Sequence, residues 1–290
     1  MLQRTNPRGF HVRTWRVCSW LAAAALLSAC RTTAAIEPPP AAPEPTAAVS
    51  ARPVDWHYEG ELGPGHWAEL SPAYAACGQA GQSPIDLVQT RASTGSWQAD
   101  YHPSGLRIAH HENVTDILDN GHTIQVTVDA GSVLTTERGR YALKQFHFHT
   151  PSEHTLGGRA FPMEVHFVHQ SAEGNFAVLA VLFEEGTENA NLATLIAHFP
   201  EKGHANLDPA VRVELALHLP RNHSAYNYVG SFTTPPCTAN VEWLVVTTPV
   251  AASAAQLAAF AAHLHHNNRP IQPSGGREVT ISYVGEQAQE

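Results

Sequence analysis

Two histidines one residue apart, in Gln145-Phe146-His147-Phe148-His149, are the residues of this chain best spaced to do chemistry. In an extended strand, side chains two apart leave the same face of the sheet. Gln145, His147 and His149 then share one face, and Phe146 and Phe148 take the other. Imidazoles about 7 Å apart along a strand converge on one metal ion when a third ligand closes the site. The alternating run Met163-Glu164-Val165-His166-Phe167-Val168-His169 offers His166, with Glu164 and Val168 on its face. Three histidines with no fourth protein ligand make a catalytic zinc arrangement, because one coordination position stays open to water. Gln145 and Glu164 each stand two residues before a candidate ligand. From there a side chain accepts the second imidazole N–H and fixes the tautomer. The chain has 19 histidines, so a chance pair of half-buried strand residues is the plain alternative; two acceptors in matching register weigh against it.

Such a site needs a sheet to hold it. Pro151, Gly157, Gly158 and Pro162 lie between the two histidine runs and suit a connection between neighbouring antiparallel strands. Asp119-Asn120-Gly121-His122, set between alternating apolar residues over 114–128, reads as a hairpin turn. Residues 176–183 are continuously apolar, as in a strand buried on both faces. Tyr74 to Ile85 reads as loop. Helices are expected only over Thr187–His198 and Ser253–His266, the latter with Ser253 as N-cap. The sum is a mainly β (α+β) fold, a central twisted and mostly antiparallel sheet with peripheral short helices.

The whole chain has 290 residues, is 43% hydrophobic and 15% charged, and carries a formal net charge of −9. It is globular, and its acidity argues against nucleic acid as a partner. Residues 1–29 read as a signal peptide: Arg4 to Arg16 are basic, and Val17 to Ala29 are apolar but too short for a standard membrane span. Removing them leaves 13 basic against 26 acidic residues, a net charge of −13. The segment ends Leu27-Ser28-Ala29-Cys30, which resembles a bacterial lipobox with Cys30 as the lipid-modified residue. An ordinary cleaved signal peptide is the alternative. Arg31 after the cysteine favours an outer-membrane anchor facing the periplasm. Residues 30–53, rich in Ala and Pro, read as an extended tether, and 54–287 as the catalytic domain. Cys77 and Cys237 are left over in an oxidising compartment and suggest one disulfide, with free thiols as the alternative.

Seven motifs, in order, carry a family resemblance. They are Gln82-Ser83-Pro84-Ile85-Asp86, Asn120-Gly121-His122, Gln145-Phe146-His147-Phe148-His149, Ser152-Glu153-His154, Glu164-Val165-His166, Thr233-Thr234-Pro235-Pro236 and Asn268-Arg269-Pro270. Over roughly Asp55 to Gly285 the chain resembles the alpha-class carbonic anhydrases, bacterial and exported. The resemblance implies a zinc lyase that hydrates carbon dioxide to bicarbonate and a proton, reversibly, by attack of zinc-bound hydroxide in a conical cleft. By the same resemblance His147, His149 and His166 bind Zn2+, and Gln145, Glu164 and Asn267 hold their outer nitrogens. Thr233, aligned by Glu153, orients the nucleophile. Val168, Val178, Phe232 and Trp243, with Thr234, receive the substrate, Phe232 standing where the family more often has leucine. His122 is the proton shuttle, and Tyr58, Asn120, Gln125 and Thr234 carry the connecting water. Cis bonds are implied at Ser83-Pro84 and Pro235-Pro236. Related bacterial enzymes are commonly dimers, which leaves a homodimer as a further expectation. Two rivals differ in class. A cupin-type metal oxygenase would use Glu153 as a ligand, but the second cupin motif is missing. An acatalytic binding module would have lost zinc histidines, and all three are present.

Overall fold

The structure is a computed structural model that describes residues 54–88, 91–96, 98–100, 114–128, 130–206, 213 and 224–283. The signal segment with Cys30, the tether, and His110-His111 lie outside the described residues. Among those described, no helix is long and apolar enough to cross a membrane.

Fifteen strands and three α-helices are described. The first strands are β1 (Asp86–Leu87), β2 (Arg91–Ser96), β3 (Gln98–Asp100), β4 (Val114–Asp119), β5 (Ile124–Val128) and β6 (Val133–Thr136). The middle of the chain gives β7 (Gly139–His149), β8 (Thr155–Leu156), β9 (Met163–Gln170), β10 (Phe176–Glu185) and β11 (Ala205–Asn206). The last are β12 (Ser224–Ser231), β13 (Ala239–Val246), β14 (Val250–Ala252) and β15 (Thr280–Tyr283). The helices are α1 (Trp67–Leu70), α2 (Ala190–Ile196) and α3 (Ala254–Leu264). The main sheet runs β11-β4-β5-β7-β9-β10-β13-β12-β15-β2, with β14 beside β10 and β3 joined through β6 to β7. Its pairings are antiparallel except β10–β13, β10–β14 and β15–β2.

Strand alternation sorts the sheet into two faces. Phe146, Phe148, Val165, Phe167, Leu179 and Val181 are buried in one core with Leu192 and Leu195 of α2 and Leu257 and Phe260 of α3. Their neighbours in sequence, among them Val168, Val178, Ala180 and Trp243, belong to a second core on the opposite face. The side chains of His147, His149 and His166 share the parity of that second set. Phe148 packs on Phe260 with ring centroids 4.7 Å apart, so α3 buttresses the strand that carries two histidines. Each such aromatic side chain contributes about 1.5–3 kcal/mol by burial.

The helices are shorter than the sequence suggests. The expected helix over 187–198 begins only after Asn189, whose side chain accepts from Asn191 and Leu192 N–H and caps α2. Ser253 caps α3 in a capping box with Gln256. The expected loop from Tyr74 is instead the end of a 3-10 helix, Pro72–Gly78. Ser71 accepts from Ala73 N–H there, and Pro72 presets the backbone angle at its first position. The hairpin at Asn120-Gly121 and the buried strand over 176–183 are found as expected. Cis bonds occur at Ser83-Pro84 and Pro235-Pro236, and at Thr150-Pro151, which was not anticipated. Cys77 and Cys237, 160 residues apart, form a disulfide. In the chain-entropy model, closing such a loop contributes at most about 5 kcal/mol.

Candidate metal centre

Antiparallel register sets His147 of β7 directly opposite His166 of β9, and His149 opposite Glu164. One ring nitrogen from each of His147, His149 and His166 then lies within 4.8 Å of the other two. The remaining nitrogen of every ring is committed. His147 Nδ1 donates to Gln145 Oε1 at 2.9 Å, and His166 Nε2 to Glu164 Oε1 at 2.8 Å. His149 Nδ1 donates to the backbone carbonyl of Asn267 at 2.7 Å. Asn267, the residue expected to receive the His149 N–H, does so through its backbone carbonyl. Its side chain is occupied elsewhere, taking Thr150 N–H and donating to the carbonyls of Phe148 and His122.

These acceptors fix three tautomers and aim three lone pairs at one point. His149 Nε2 is buried and has no hydrogen-bond partner. An orphaned imidazole lone pair costs free energy in a protein interior unless something electropositive meets it. Burial holds all three imidazoles below their ordinary pKa, His149 at about 4 and His147 well below the usual range with help from His149 and His166. They are thus neutral at physiological pH, the form that binds a cation. The donor set fits a metal ion of the zinc type.

Behind His166 a buried network extends inward. Burial alone would raise the Glu164 carboxyl, but His154 and His166 hold it well below its usual value. Glu164 also accepts the N–H groups of Glu153 and His154 at 2.8 Å. His154 bridges Glu164 Oε1 and the Tyr228 hydroxyl, each at 2.7 Å, and Tyr228 donates to Ser83 Oγ. His154, Glu164 and His166 form a second close grouping; these hydrogen bonds account for it. Gly230 is required beside it, because a Cβ there would collide with Ser83 Oγ. Sequence reasoning named no partner for His154. Tyr228, at an inward position of β12, was the missed residue.

Glu153 is fully buried, and Arg269 N–H donates to its Oε1 at 2.8 Å. Burial pushes its carboxyl up to about 7, against lowering by His166, by the Arg269 N–H and by the Thr233 hydroxyl. Thr233 is itself buried, and its hydroxyl is among the groups that hold this carboxyl down. Arg269 in turn spans the domain, its side chain donating to Cys77 O, Gln82 Oε1 and Ser83 O. The loop bearing Thr233 is closed by Phe232 N–H to Thr238 O and Cys237 N–H to Thr234 O, next to the disulfide.

Two spaces that share Gln145, His147 and Thr234 in their walls meet at the histidines. One, of about 190 Å3, is lined by His147, His166, Val168, Val178, Phe232, Thr233, Thr234 and Trp243. The other, of about 120 Å3, is lined by Tyr58, Asn120, His122, Gln125, His147, His149 and Thr234. All the residues expected to receive substrate and to carry water are therefore at the site. His122 is half-buried, stacked on Trp56 with centroids 3.8 Å apart. His265 and His266 are exposed. His263 is partly buried, and its Nε2 donates to Asp119 Oδ2 at 2.9 Å.

The sequence matches the family described as eukaryotic-type carbonic anhydrase over residues 62–283. A carbonic anhydrase of Pectobacterium atrosepticum is 41% identical over 230 residues, covering 78% of this chain and 90% of that protein. The alpha-carbonic anhydrase of Photobacterium profundum superposes with a TM-score of 0.71 at 38% identity, covering 78% of this chain and 100% of that one. That of Thermovibrio ammonificans, in complex with sulfanilamide, superposes with a TM-score of 0.70 at 38% identity, covering 78% and 99%.

Proposed function

Because the chain belongs to the eukaryotic-type (alpha) carbonic anhydrases and catalyses the reversible hydration of carbon dioxide to bicarbonate and a proton, we propose that it does so with Zn2+ held by His147, His149 and His166. The observation that carries this reading is the set of three neutral, tautomer-fixed imidazoles converging around the unpaired Nε2 of His149. Bound there, the cation supplies Lewis-acid chemistry and lowers the pKa of a water molecule to about 7, the figure general to carbonic anhydrase zinc sites. Glu153 is not among the converging donors, which weighs against the cupin reading.

The chain's own residues do the rest. A threonine hydroxyl has one hydrogen; spent on the Glu153 carboxylate, it leaves only lone pairs for the attacking solvent oxygen. Thr233 therefore fixes the direction of attack, and Arg269 N–H fixes Glu153. Val168, Val178, Phe232 and Trp243 offer an apolar wall to an apolar substrate and keep water from solvating it. His122 takes the released proton across the space lined by Tyr58, Asn120, Gln125 and Thr234. Burial lowers the His122 pKa, with His57 lowering it further, so the ring returns to its neutral form at neutral pH.

Replacing His122 by alanine should lower turnover in dilute buffer by about 10-fold or more, with recovery on adding imidazole. Stopped-flow hydration assays read both. Turnover unchanged by the substitution would remove His122 from the path.

The lipobox-like Leu27-Ser28-Ala29-Cys30 supports an exported lipoprotein anchored through Cys30 and facing the periplasm. Mass spectrometry of the mature protein should find an acylated Cys30 at the N-terminus; an unmodified terminus elsewhere would mean an ordinary signal peptide. A homodimer rests on the resemblance alone.

A further inference from the structure

A second cleft, of about 370 Å3, lies beside the water-lined space and holds His57, Asp119, His122, Lys202, His263 and His265 in its walls. His122, Tyr58 and Thr123 line both spaces, so the His122 ring stands between the metal centre and this outer cleft. Trp56 stacks on that ring within 6° of parallel. The next residue, His57, sets its own ring 6.2 Å from His122, centroid to centroid. His57 Nε2 lies 3.6 Å from Asp55 Oδ2, and the two side chains are 55% and 75% exposed.

We propose that His57, backed by Asp55, is a second proton-accepting residue of the hydration reaction, taking the proton from His122 and delivering it to solvent; the inference rests on His122 being the shuttle. The transfer is balanced. Protonated His122 gives one proton to neutral His57, directly or through one water, and returns to the neutral form that accepts the next. His57 then carries the charge beside a carboxylate until buffer removes the proton.

The surroundings set the direction. Burial, His57 and Lys202 all disfavour charge on His122, and Asp55 and Asp119 favour it. Asp119 is already engaged by His263 Nε2 and Gly121 N–H. Asp55 places its Oδ2 3.6 Å from His57 Nε2, on the solvent side of the pair. His263, another ring in this cleft, has its Nε2 bonded to Asp119 Oδ2 at 2.9 Å. His57 is free of such duty: its backbone N–H, bonded to Leu62 O, holds the segment without the side chain.

The test is His57→Ala in the full zinc-loaded enzyme, assayed by stopped-flow carbon dioxide hydration. In dilute non-imidazole buffer, kcat should fall about fivefold, less than the roughly 10²–10⁴ supplied by a primary acid–base group. kcat/KM should not change, and concentrated imidazole should restore kcat. Asp55→Asn should give a smaller loss of the same kind, and His57→Ala should add nothing in a His122→Ala background. An unchanged kcat in dilute buffer overturns the proposal, as does a parallel fall in kcat/KM or an additive loss in the double variant. If His122→Ala is also without effect, it is the shuttle reading that has failed.

Discussion

His149→Ala is expected to abolish carbon dioxide hydration, by at least about 10³-fold, and to strip the protein of zinc without unfolding it. The ring is completely buried between Asn267 and the point where the three lone pairs meet. Without it two nitrogens remain, too few to hold a cation against water. The Asn267 carbonyl loses its partner and a cavity opens, which together cost about 2–5 kcal/mol. A domain of this size is typically stable by about 5–15 kcal/mol, so the sheet should survive. Metal analysis, circular dichroism and a hydration assay on one preparation check all three statements. Stoichiometric zinc with normal turnover in the variant would show that the cation sits elsewhere.

Thr233→Val should be the next most damaging change, lowering kcat/KM by about 10²-fold while zinc content stays the same. Valine nearly matches threonine in shape and the side chain is almost wholly buried, so packing is preserved. What would be lost, on the proposed mechanism, is the hydroxyl that donates to Glu153 and accepts from the attacking solvent. Attack then proceeds from an unconstrained orientation. The separation of rate from metal content distinguishes this effect from that of His149→Ala. A loss below about twofold in kcat/KM would leave Thr233 with no orienting part.

Much of the site is legible in the sequence because strands make it so. A period of two forces Gln145, His147 and His149 onto one face and the phenylalanines onto the other, whatever the rest of the chain does. Glu164 and His166 follow by the same rule, and the acceptors two residues upstream need no tertiary information. The Ser253 cap is likewise local chemistry. What escaped reading depends on contacts between distant segments. That Asn267 works through its carbonyl follows from how the chain reverses after α3, where His265 and His266 both adopt left-handed backbone angles, φ 51 and 58. That His154 meets Tyr228, and His263 meets Asp119, depends on strand order and helix docking. The parallel partnership of β10 with β13 is also non-local, since 53 residues lie between Glu185 and Ala239. The 3-10 helix over Pro72–Gly78 was a local miss, because the glycines and Pro84 drew more weight than the Ser71-Pro72 start.

Arg269 binds Glu153 through its backbone and Cys77, Gln82 and Ser83 through its side chain, joining positions up to 192 residues apart. The site therefore draws on both near and distant parts of the chain. The pairing of His147 with His166 joins neighbouring segments, whereas the groups behind His149 and Glu153 come from residues 267 and 269, more than 110 positions further along the chain. Both the third imidazole and the carboxylate behind Thr233 thus depend on the segment after α3 folding back onto the middle of the sheet. A fragment ending before residue 267 would lose the carbonyl behind His149 and the N–H behind Glu153 together.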